Sequence, residues 1–319
     1  MKNAAIYYSI GALLYCPANH ASIADSVIGE RFGTGYSLAL CLEDTIGDCH
    51  VAQAEEILIQ SLKHIFEARE SLTFFLPKIF IRVRKASQMT ELLNRLGNAR
   101  IIVSGFIIPK LDLHNIDEYI KMVLRINSSK DMKFYVMPIM ESPSIVMPDK
   151  RAAVLCEIRE RLKEIEEYIL NIRVGGNDLC HLFGFRRSCG ESIHRIQPIA
   201  NIFADIITVF GMDYVVSGPV WEYYGGSGWE NGLMQELKED RLCGFVGKTA
   251  IHPSQIPYIR RAYAVTQEDL ADAKNILGWQ EDAASFVSGS VQKKRMNEYK
   301  THTNWARKII YLSEAYGTI

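Results

Sequence analysis

Short apolar segments alternate with longer segments of helical periodicity, and this alternation limits the possible folds more than any other feature of the sequence. The apolar segments predict eight strands, at residues 12–16, 37–42, 78–83, 101–109, 134–140, 171–175, 214–217 and 245–251. The segments between them predict helices, at residues 21–31, 50–69, 88–96, 116–126, 150–169, 193–210 and 231–241. Eight strands that alternate with helical segments favour an α/β fold of the (β/α)8 TIM-barrel type over an open doubly wound sheet. A dinucleotide-binding fold is disfavoured, because no glycine fingerprint follows the first strand.

The pattern divides the chain into two parts. Residues 1–265 form the predicted barrel domain, and residues 266–319 form a predicted C-terminal helical extension that packs on the barrel or is exchanged between barrels. No segment rich in proline, glycine or serine separates the two parts, so we expect no flexible linker between them.

The charge balance argues against nucleic-acid and membrane partners, and the cysteines indicate the redox environment. The 36 basic residues balance 37 acidic ones, so no basic excess would attract nucleic acid or an anionic membrane surface. No run approaches the roughly 18 consecutive apolar residues of a membrane-spanning helix. Seven cysteines without a Cys-x-x-Cys pair indicate free thiols in a reducing environment. We therefore expect a cytoplasmic protein.

Charged residues stand where several of the predicted strands end. Glu141 ends strand five, and Asp178 follows strand six after two glycines. The other charged or titratable residues at strand ends are Glu43, Asp44, Arg82, Arg84, Lys110, Lys248 and His252. In a TIM barrel the ends of the strands meet at one face, where the active site lies. We therefore predict that these residues share one site.

Each of these residues also has a structural interpretation. Asp44 and Asp178 could cap the helices that follow them, and Arg82 could form a structural ion pair. A lone histidine such as His252 is more often a packing residue than a catalytic one. The functional interpretation depends on the coincidence of acids on strands two, five and six with two arginines on strand three.

This mixture of residues suits a definite chemistry. Two carboxylates with open coordination positions suit Mg²⁺, a hard cation that keeps water or substrate oxygens among its ligands. Such an ion polarises a carbonyl and stabilises the enolate that forms when a carbon–carbon bond breaks. An arginine binds a carboxylate through two hydrogen bonds, and an Asp/Glu pair can orient metal-bound water or move a proton. Zinc is disfavoured, because no His/Cys set has suitable spacing.

The order of these motifs resembles that of the citrate lyase beta-subunit and malyl-CoA lyase superfamily, over nearly the whole chain. The most specific match is the segment 244–255, Gly-Phe-Val-Gly-Lys-Thr-Ala-Ile-His-Pro-Ser-Gln. The shorter matches lie at residues 13–17, 42–44, 81–84, 109–110, 141–142 and 178–179. The segments 182–187, 218–223 and 296–298, with His302 and Trp305, resemble the citrate-lyase-like branch found in bacterial tellurium-resistance and stress operons.

The resemblance implies a homo-oligomeric TIM barrel that uses Mg²⁺ to cleave or form carbon–carbon bonds in small oxo- or hydroxy-acids or their CoA thioesters. Glu141 and Asp178 would bind the metal. Arg82 would bind the substrate carboxylate or the enolate, and Asp44 would act beside the metal-bound water. The expected contacts with the anionic substrate are Glu43, Arg84, Lys110, Lys248 and His252.

Several departures from the superfamily disfavour a CoA thioester as the substrate. Gly11 and Ala12 stand where members that handle acyl-CoA carry an arginine, and Ala18 replaces a glycine. Arg84 replaces an asparagine, and residues 222–232 resemble an insertion before strand eight. None of these departures touches the predicted metal pair.

A binding protein is the alternative to a lyase. Such a barrel would keep the metal but bind a nucleotide-like or phosphate ligand, or partner proteins. It would act in a stress-response gene cluster. Arg84, Arg186 and Arg187 could bind anionic groups, and the aromatic residues at 221–224 could stack on bases. A purely structural role has least support, because it leaves the charges at the strand ends unexplained.

Overall fold

The computed structural model describes residues 4–129, 131–279 and 285–319, and these form a (β/α)8 TIM barrel, as predicted. Its strands are β1 (Ala12–Pro17), β2 (Tyr36–Cys41), β3 (Lys78–Arg82), β4 (Val103–Ile108), β5 (Tyr135–Met140), β6 (Ile172–Val174), β7 (Val216–Ser217) and β8 (Lys248–Ala250). They are parallel and follow one another in the order β7-β6-β5-β4-β3-β2-β1-β8. A backbone bridge between Gly218 and Lys248 brings β7 beside β8, so the barrel is nearly closed.

Helices follow the strands on the outside of the barrel. They are α1 (Ile23–Ile28), α2 (Val51–Ala68), α3 (Ser87–Leu96), α4 (Ile116–Ile126), α5 (Pro148–Leu162), α6 (Gly176–Leu182), α7 (Gln197–Phe210), α8 (Trp229–Cys243), α9 (Ile256–Tyr263), α10 (Gln267–Leu277) and α11 (Tyr299–Tyr316). The predicted helix at 150–169 ends at Leu162 and continues as a 3-10 segment, and the short α6 is absent from the prediction. Among the described residues, no helix combines the length and apolar character needed to span a membrane.

The strands bury residues on both faces. Successive side chains of a strand point to opposite sides, so Leu13, Ala39, Phe80, Ile107 and Met137 pack together inside the barrel. The residues between them pack against the helices and form the larger outer core. A charged side chain on a strand is therefore exceptional unless it lies at the strand's end.

The C-terminal part of the chain packs against the N-terminal end of the barrel, opposite to the predicted site. Between α10 and α11, β9 (Val287–Gly289) pairs antiparallel with β10 (Met296–Glu298), a hairpin in addition to the helices that the sequence predicts. At the end of α11, the Tyr316 hydroxyl donates a hydrogen bond to the Tyr8 carbonyl oxygen at 2.8 Å. Exchange of this extension between barrels stays a prediction.

Candidate active site

Four carboxylates and two cationic side chains meet at the C-terminal ends of neighbouring strands. The six residues are Glu43, Asp44, Arg82, Lys110, Glu141 and Asp178. Each stands at the end of its strand or shortly after it, where a parallel barrel opens into its loops. We call this group the mouth cluster. All six belong to the set that the sequence analysis placed in one site.

Arg82 is the centre of the mouth cluster. Its Nη2 lies 2.8 Å from Glu43 Oε2, 3.0 Å from Asp44 Oδ2 and 3.1 Å from Glu141 Oε1. Burial alone lowers the pKa of Arg82, but Tyr15, Glu141 and Glu43 outweigh burial and raise it. The Nε of Arg82 has no hydrogen-bond partner among the described residues. This buried donor is therefore unpaired within the described part of the fold.

Lys110 connects two sides of the mouth cluster. Its Nζ lies 2.6 Å from Glu43 Oε1 and 2.7 Å from Asp44 Oδ1. Its φ of +46° is in the left-handed region, which costs a non-glycine residue about 1–2 kcal/mol. In this conformation the Lys110 amide donates to Glu141 Oε1 at 3.1 Å while the side chain reaches the acids after β2. Backbone strain of this kind is concentrated at functional sites.

The two acids after β2 have unlike environments. Burial and the neighbouring Asp44 raise the pKa of Glu43. Burial also acts to raise the pKa of Asp44, but hydrogen bonds with Glu43 and Lys110 outweigh it, so the pKa of Asp44 is lowered. Adjacent carboxyl groups with opposite pKa shifts are typical of an acid–base pair. Asp44 is the more exposed of the two, so it is the acid that a ligand in the mouth can reach.

Glu141 and Asp178 form the candidate metal site. Burial raises the pKa of Glu141 to about 8; Arg82 opposes this shift, and the nearby Asp178 carboxylate adds to it. Both hydrogen bonds from Arg82 and the Lys110 amide go to Oε1 of Glu141. Its Oε2 faces Gly175, where an added Cβ would lie only 2.0 Å away. A carboxylate oxygen that accepts neither of these hydrogen bonds, in a residue beside a second carboxylate, is suited to a cation.

The donor set fits Mg²⁺. The mouth cluster has four carboxylates against two cationic side chains, so a divalent cation would balance its charge. In the part of the chain that the structure describes, no group of three or more His, Cys, Asp and Glu side chains could hold a metal. An ion bound by two carboxylates takes its remaining ligands from water or substrate. This coordination is typical of Mg²⁺ and not of structural zinc.

Arg84 and His252 lie outside the mouth cluster, contrary to the sequence-based expectation. β3 ends at Arg82, so the alternation that would place Arg84 on the same face no longer applies. The Arg84 guanidinium instead donates to the Ile46 carbonyl oxygen at 3.0 Å and pairs with Asp48. The exposed His252 ring stacks on Tyr224, with 4.7 Å between ring centroids, and caps the turn that follows it. Both residues hold loops in place.

Lys248 also lies away from the mouth, on the outer face of β8. Thr249 is paired with Leu13, which points into the barrel, so Lys248 points outwards to α8. Its ammonium group is fully buried, 2.8 Å from Glu236 and 2.7 Å from Asp240. The same two acids pair with two further side chains, Arg187 and His194. The expectation that Lys248 contacts substrate is corrected: Lys248 belongs to a buried ionic cluster between β8 and α8.

Arg84 lies apart from the other residues of the nucleotide-binding alternative. Trp221 is buried, and the Arg187 guanidinium lies over its ring at 5.1 Å from the centroid. Arg84 is engaged with the loop after β2, whereas Arg186 is exposed beside Glu222. Arg186, Arg187 and the aromatic residues at 221–224 thus lie together without Arg84, and the binding of a nucleotide-like ligand stays a prediction.

Tyr15 and Arg173 lie near the mouth cluster, and the sequence analysis did not predict either as a site residue. Arg82 lies over the ring of Tyr15, with 5.9 Å between the guanidinium carbon and the ring centroid. Arg173, in the middle of β6, donates from Nη2 to Thr249 Oγ1 at 2.7 Å. A signal for Arg173 was available, because it is a lone charge inside a short apolar segment, where alternation turns every second side chain inwards.

Comparison with known proteins gives one family and a set of similar structures. A family model described as C-C bond lyase of the TIM-barrel fold matches residues 4–318, whereas no protein with a curated description matches. CitE from Mycobacterium tuberculosis, in complex with magnesium, acetoacetate and coenzyme A, is 16% identical with a TM-score of 0.62, over 97% of this chain and 99% of that chain.

Two further structures are similar over most of this chain. The citrate lyase beta subunit from M. tuberculosis, complexed with oxaloacetate and magnesium, is 16% identical with a TM-score of 0.53, over 81% of this chain and 98% of that chain. RipC from Yersinia pestis is 16% identical with a TM-score of 0.55, over 82% of this chain and 98% of that chain. At these identities the likeness shows a shared fold.

Proposed function

The chain belongs to the C-C bond lyase family of the TIM-barrel fold, and from this we propose that it is a Mg²⁺-dependent lyase of small oxo- or hydroxy-acids. One observation carries the proposal: a single arginine contacts three carboxylates, Glu43, Asp44 and Glu141, and the last of these lies beside Asp178. Structures of similar fold are complexes with magnesium and small acids, oxaloacetate in one and pyruvate in another.

The residues of the mouth cluster divide the chemistry among themselves. Glu141 and Asp178 would hold the ion, which would polarise the substrate carbonyl group. Arg82 binds the substrate carboxylate and fixes its orientation, because Nε is unpartnered and a guanidinium matches a carboxylate. In cleavage, Asp44 takes the proton of the substrate hydroxyl, the carbon–carbon bond breaks, and a proton is returned to the carbon that keeps the electron pair. Glu43 and Lys110 hold Asp44 in place and set its charge.

Turnover should depend on Mg²⁺. Purified protein with Mg²⁺ should release an oxo-acid from at least one hydroxy-acid in a panel such as malate, citramalate and 4-hydroxy-2-oxoglutarate. A chelator should stop the release, and added Mg²⁺ should restore it, as followed by chromatographic separation of the released oxo-acid from the parent acid. The Arg82→Lys variant keeps the charge but loses the planar guanidinium, so kcat should fall by about 100-fold. Lack of cleavage of every acid with Mg²⁺ present would favour the binding-protein alternative.

The affinity for Mg²⁺ should rise with pH up to about 8, because the pKa of Glu141 is raised to about 8. A carboxyl group must lose its proton to bind a metal. Below that pKa the ion therefore displaces a proton from Glu141, and affinity should fall by about tenfold for each pH unit, for instance between pH 7 and 6. Calorimetry in buffers of different ionisation enthalpy measures both the affinity and the released proton. An affinity that is flat from pH 6 to 8 would contradict the role of Glu141.

A further inference from the structure

Among the described residues, Arg173 is the one buried basic side chain without an acidic partner. It is 2% exposed, and its Nη1 has no hydrogen-bond partner in the described part of the chain. The other buried basic side chains all form ion pairs with acids: Arg82, Arg151, Arg187 and Lys248. A guanidinium keeps its charge when buried, and a buried charge without a counter-charge is costly. The positive charge of Arg173 is therefore not balanced by any acidic side chain of the described residues.

Arg173 points into the barrel, directly below the mouth cluster. Its strand neighbour on β5 is Ile139, which packs inside the barrel and lies two residues before Glu141. A Cβ at Gly175, two residues after Arg173, would lie 2.4 Å from Glu141 Cβ. Because residues two apart along an extended chain share a face, Arg173 lies one layer below Glu141. Its Nη2 is held by Thr249 Oγ1 at 2.7 Å, which leaves Nη1 for another acceptor.

Tyr15 connects Arg173 to Arg82. The Arg82 guanidinium lies over the Tyr15 ring at 5.9 Å. Burial lowers the pKa of Arg173, Tyr15 raises it, and the nearby positive charge of Arg82 lowers it again. Two guanidinium groups thus flank one partly exposed aromatic ring at the floor of the mouth. Their mutual repulsion is relieved if an anion lies near both.

We propose that Arg173 binds a second anionic group of the substrate, a carboxylate or a phosphate-like group, below the carboxylate that Arg82 receives. This inference rests on the proposed function and adds the substrate class, a dianionic oxo- or hydroxy-acid. Nη1 of Arg173 supplies the free donor, and Thr249 fixes the orientation of the guanidinium. A site built around an unpaired buried donor discriminates strongly against an analogue that lacks the matching group.

Binding of three related acids to the Mg²⁺-loaded protein tests this role. Pyruvate, oxaloacetate and 3-phosphonopyruvate share a 2-oxo-carboxylate, and only the last two carry a second anionic group. Calorimetry should show that the wild type binds one of the two dianions about 10- to 100-fold more tightly than pyruvate. Which dianion binds more tightly distinguishes a carboxylate from a phosphate-like group.

The Arg173→Met variant removes the charge and keeps much of the length of the side chain. Its affinity for the preferred dianion should fall to within about threefold of that for pyruvate, whereas binding of pyruvate and of Mg²⁺ should stay within about twofold of the wild type. The variant should unfold at the same temperature as the wild type or higher, because no acid is left unpaired. A purely structural arginine would instead lower the unfolding temperature and leave the preference among ligands intact.

A second variant covers the case in which Arg173→Met fails to fold. Thr249→Val removes the hydroxyl that holds Nη2, and it should weaken binding of the preferred dianion by about three- to tenfold with pyruvate unchanged. Equal binding of all three acids by the wild type, or a preference that survives in Arg173→Met, would overturn the assignment of Arg173 alone. If Arg173→Met does not fold, a preference in Thr249→Val as large as that of the wild type would overturn it. Failure of the Mg²⁺-loaded wild type to bind any oxo-acid would overturn the proposed function, and this inference with it.

Discussion

Replacing Gly175 with alanine should abolish Mg²⁺ binding and leave the barrel folded. A Cβ at residue 175 would lie 2.0 Å from Glu141 Oε2 and 2.4 Å from Glu141 Cβ, far inside van der Waals contact. The backbone of Gly175 has φ −95° and ψ 82°, angles that alanine also adopts, so a collision and not backbone strain is the cause. Glu141 cannot simply withdraw, because Arg82 and the Lys110 amide hold its Oε1. We expect calorimetry to show an affinity for Mg²⁺ at least about 100-fold lower.

Gly190 offers a matched control for this substitution. A Cβ at Gly190 would have no heavy atom of the described residues within 4 Å. Gly190→Ala should therefore leave Mg²⁺ affinity within about twofold of the wild type. Thermal unfolding of both variants separates a local displacement of Glu141 from a general loss of structure. Equal Mg²⁺ affinity in Gly175→Ala and the wild type would remove Glu141 from the metal site.

Replacing Glu236 with glutamine should lower the free energy of unfolding by about 3–5 kcal/mol, because it leaves buried cations without their counter-charge. Glu236 Oε1 lies 2.8 Å from the Lys248 ammonium, and its Oε2 lies 3.1 Å from Arg187 and accepts a hydrogen bond from the Ile193 amide at 2.9 Å. Glutamine keeps the shape of the side chain, so the measured loss reports the charge. Denaturant unfolding gives the difference directly.

The same substitution at an exposed position provides the control for Glu236→Gln. Glu91 is exposed on α3, and Glu91→Gln should change the free energy of unfolding by less than about 0.5 kcal/mol. Mg²⁺ affinity should be unchanged in both variants, because the ionic cluster of Lys248 lies on the outer face of β8. A loss of substrate binding in the folded Glu236→Gln protein would instead return Lys248 to the active site.

The mouth cluster was predictable because it depends on local sequence and one rule of topology. Each apolar segment shows where its strand ends, and parallel strands in a barrel bring those ends to one face. Glu141 is the clearest case, since it follows a run of apolar residues without interruption. Arg82 and Lys110 follow from the same reasoning, and the structure brings both to the acids.

Arg84 and Lys248 were misplaced because their positions depend on information that is not local. The face that Arg84 presents depends on β3 ending at Arg82, two residues before it. The face that Lys248 presents depends on the register of β8 against β1. Its partners, Glu236 and Asp240, lie on α8, and the sequence of α8 does not show that these two acids face β8. Arg173 is intermediate: alternation turns it inwards, but the lack of an acid around it is a property of the whole barrel.

The hydrogen bond between Tyr316 and Tyr8 has a consequence for the order in which the chain folds. The two residues are 308 positions apart in the chain. Because the entropic cost of closing a loop grows with its length, we expect this contact to form late in folding. Once it has formed, β1 is held by β2 and β8 at its sides and by α11 through the segment before it. The first strand of the barrel is then protected from fraying. The hydrogen bond lies at the end of the barrel opposite to the mouth cluster. Mutations that remove it should therefore raise the rate of unfolding without changing the rate of catalysis.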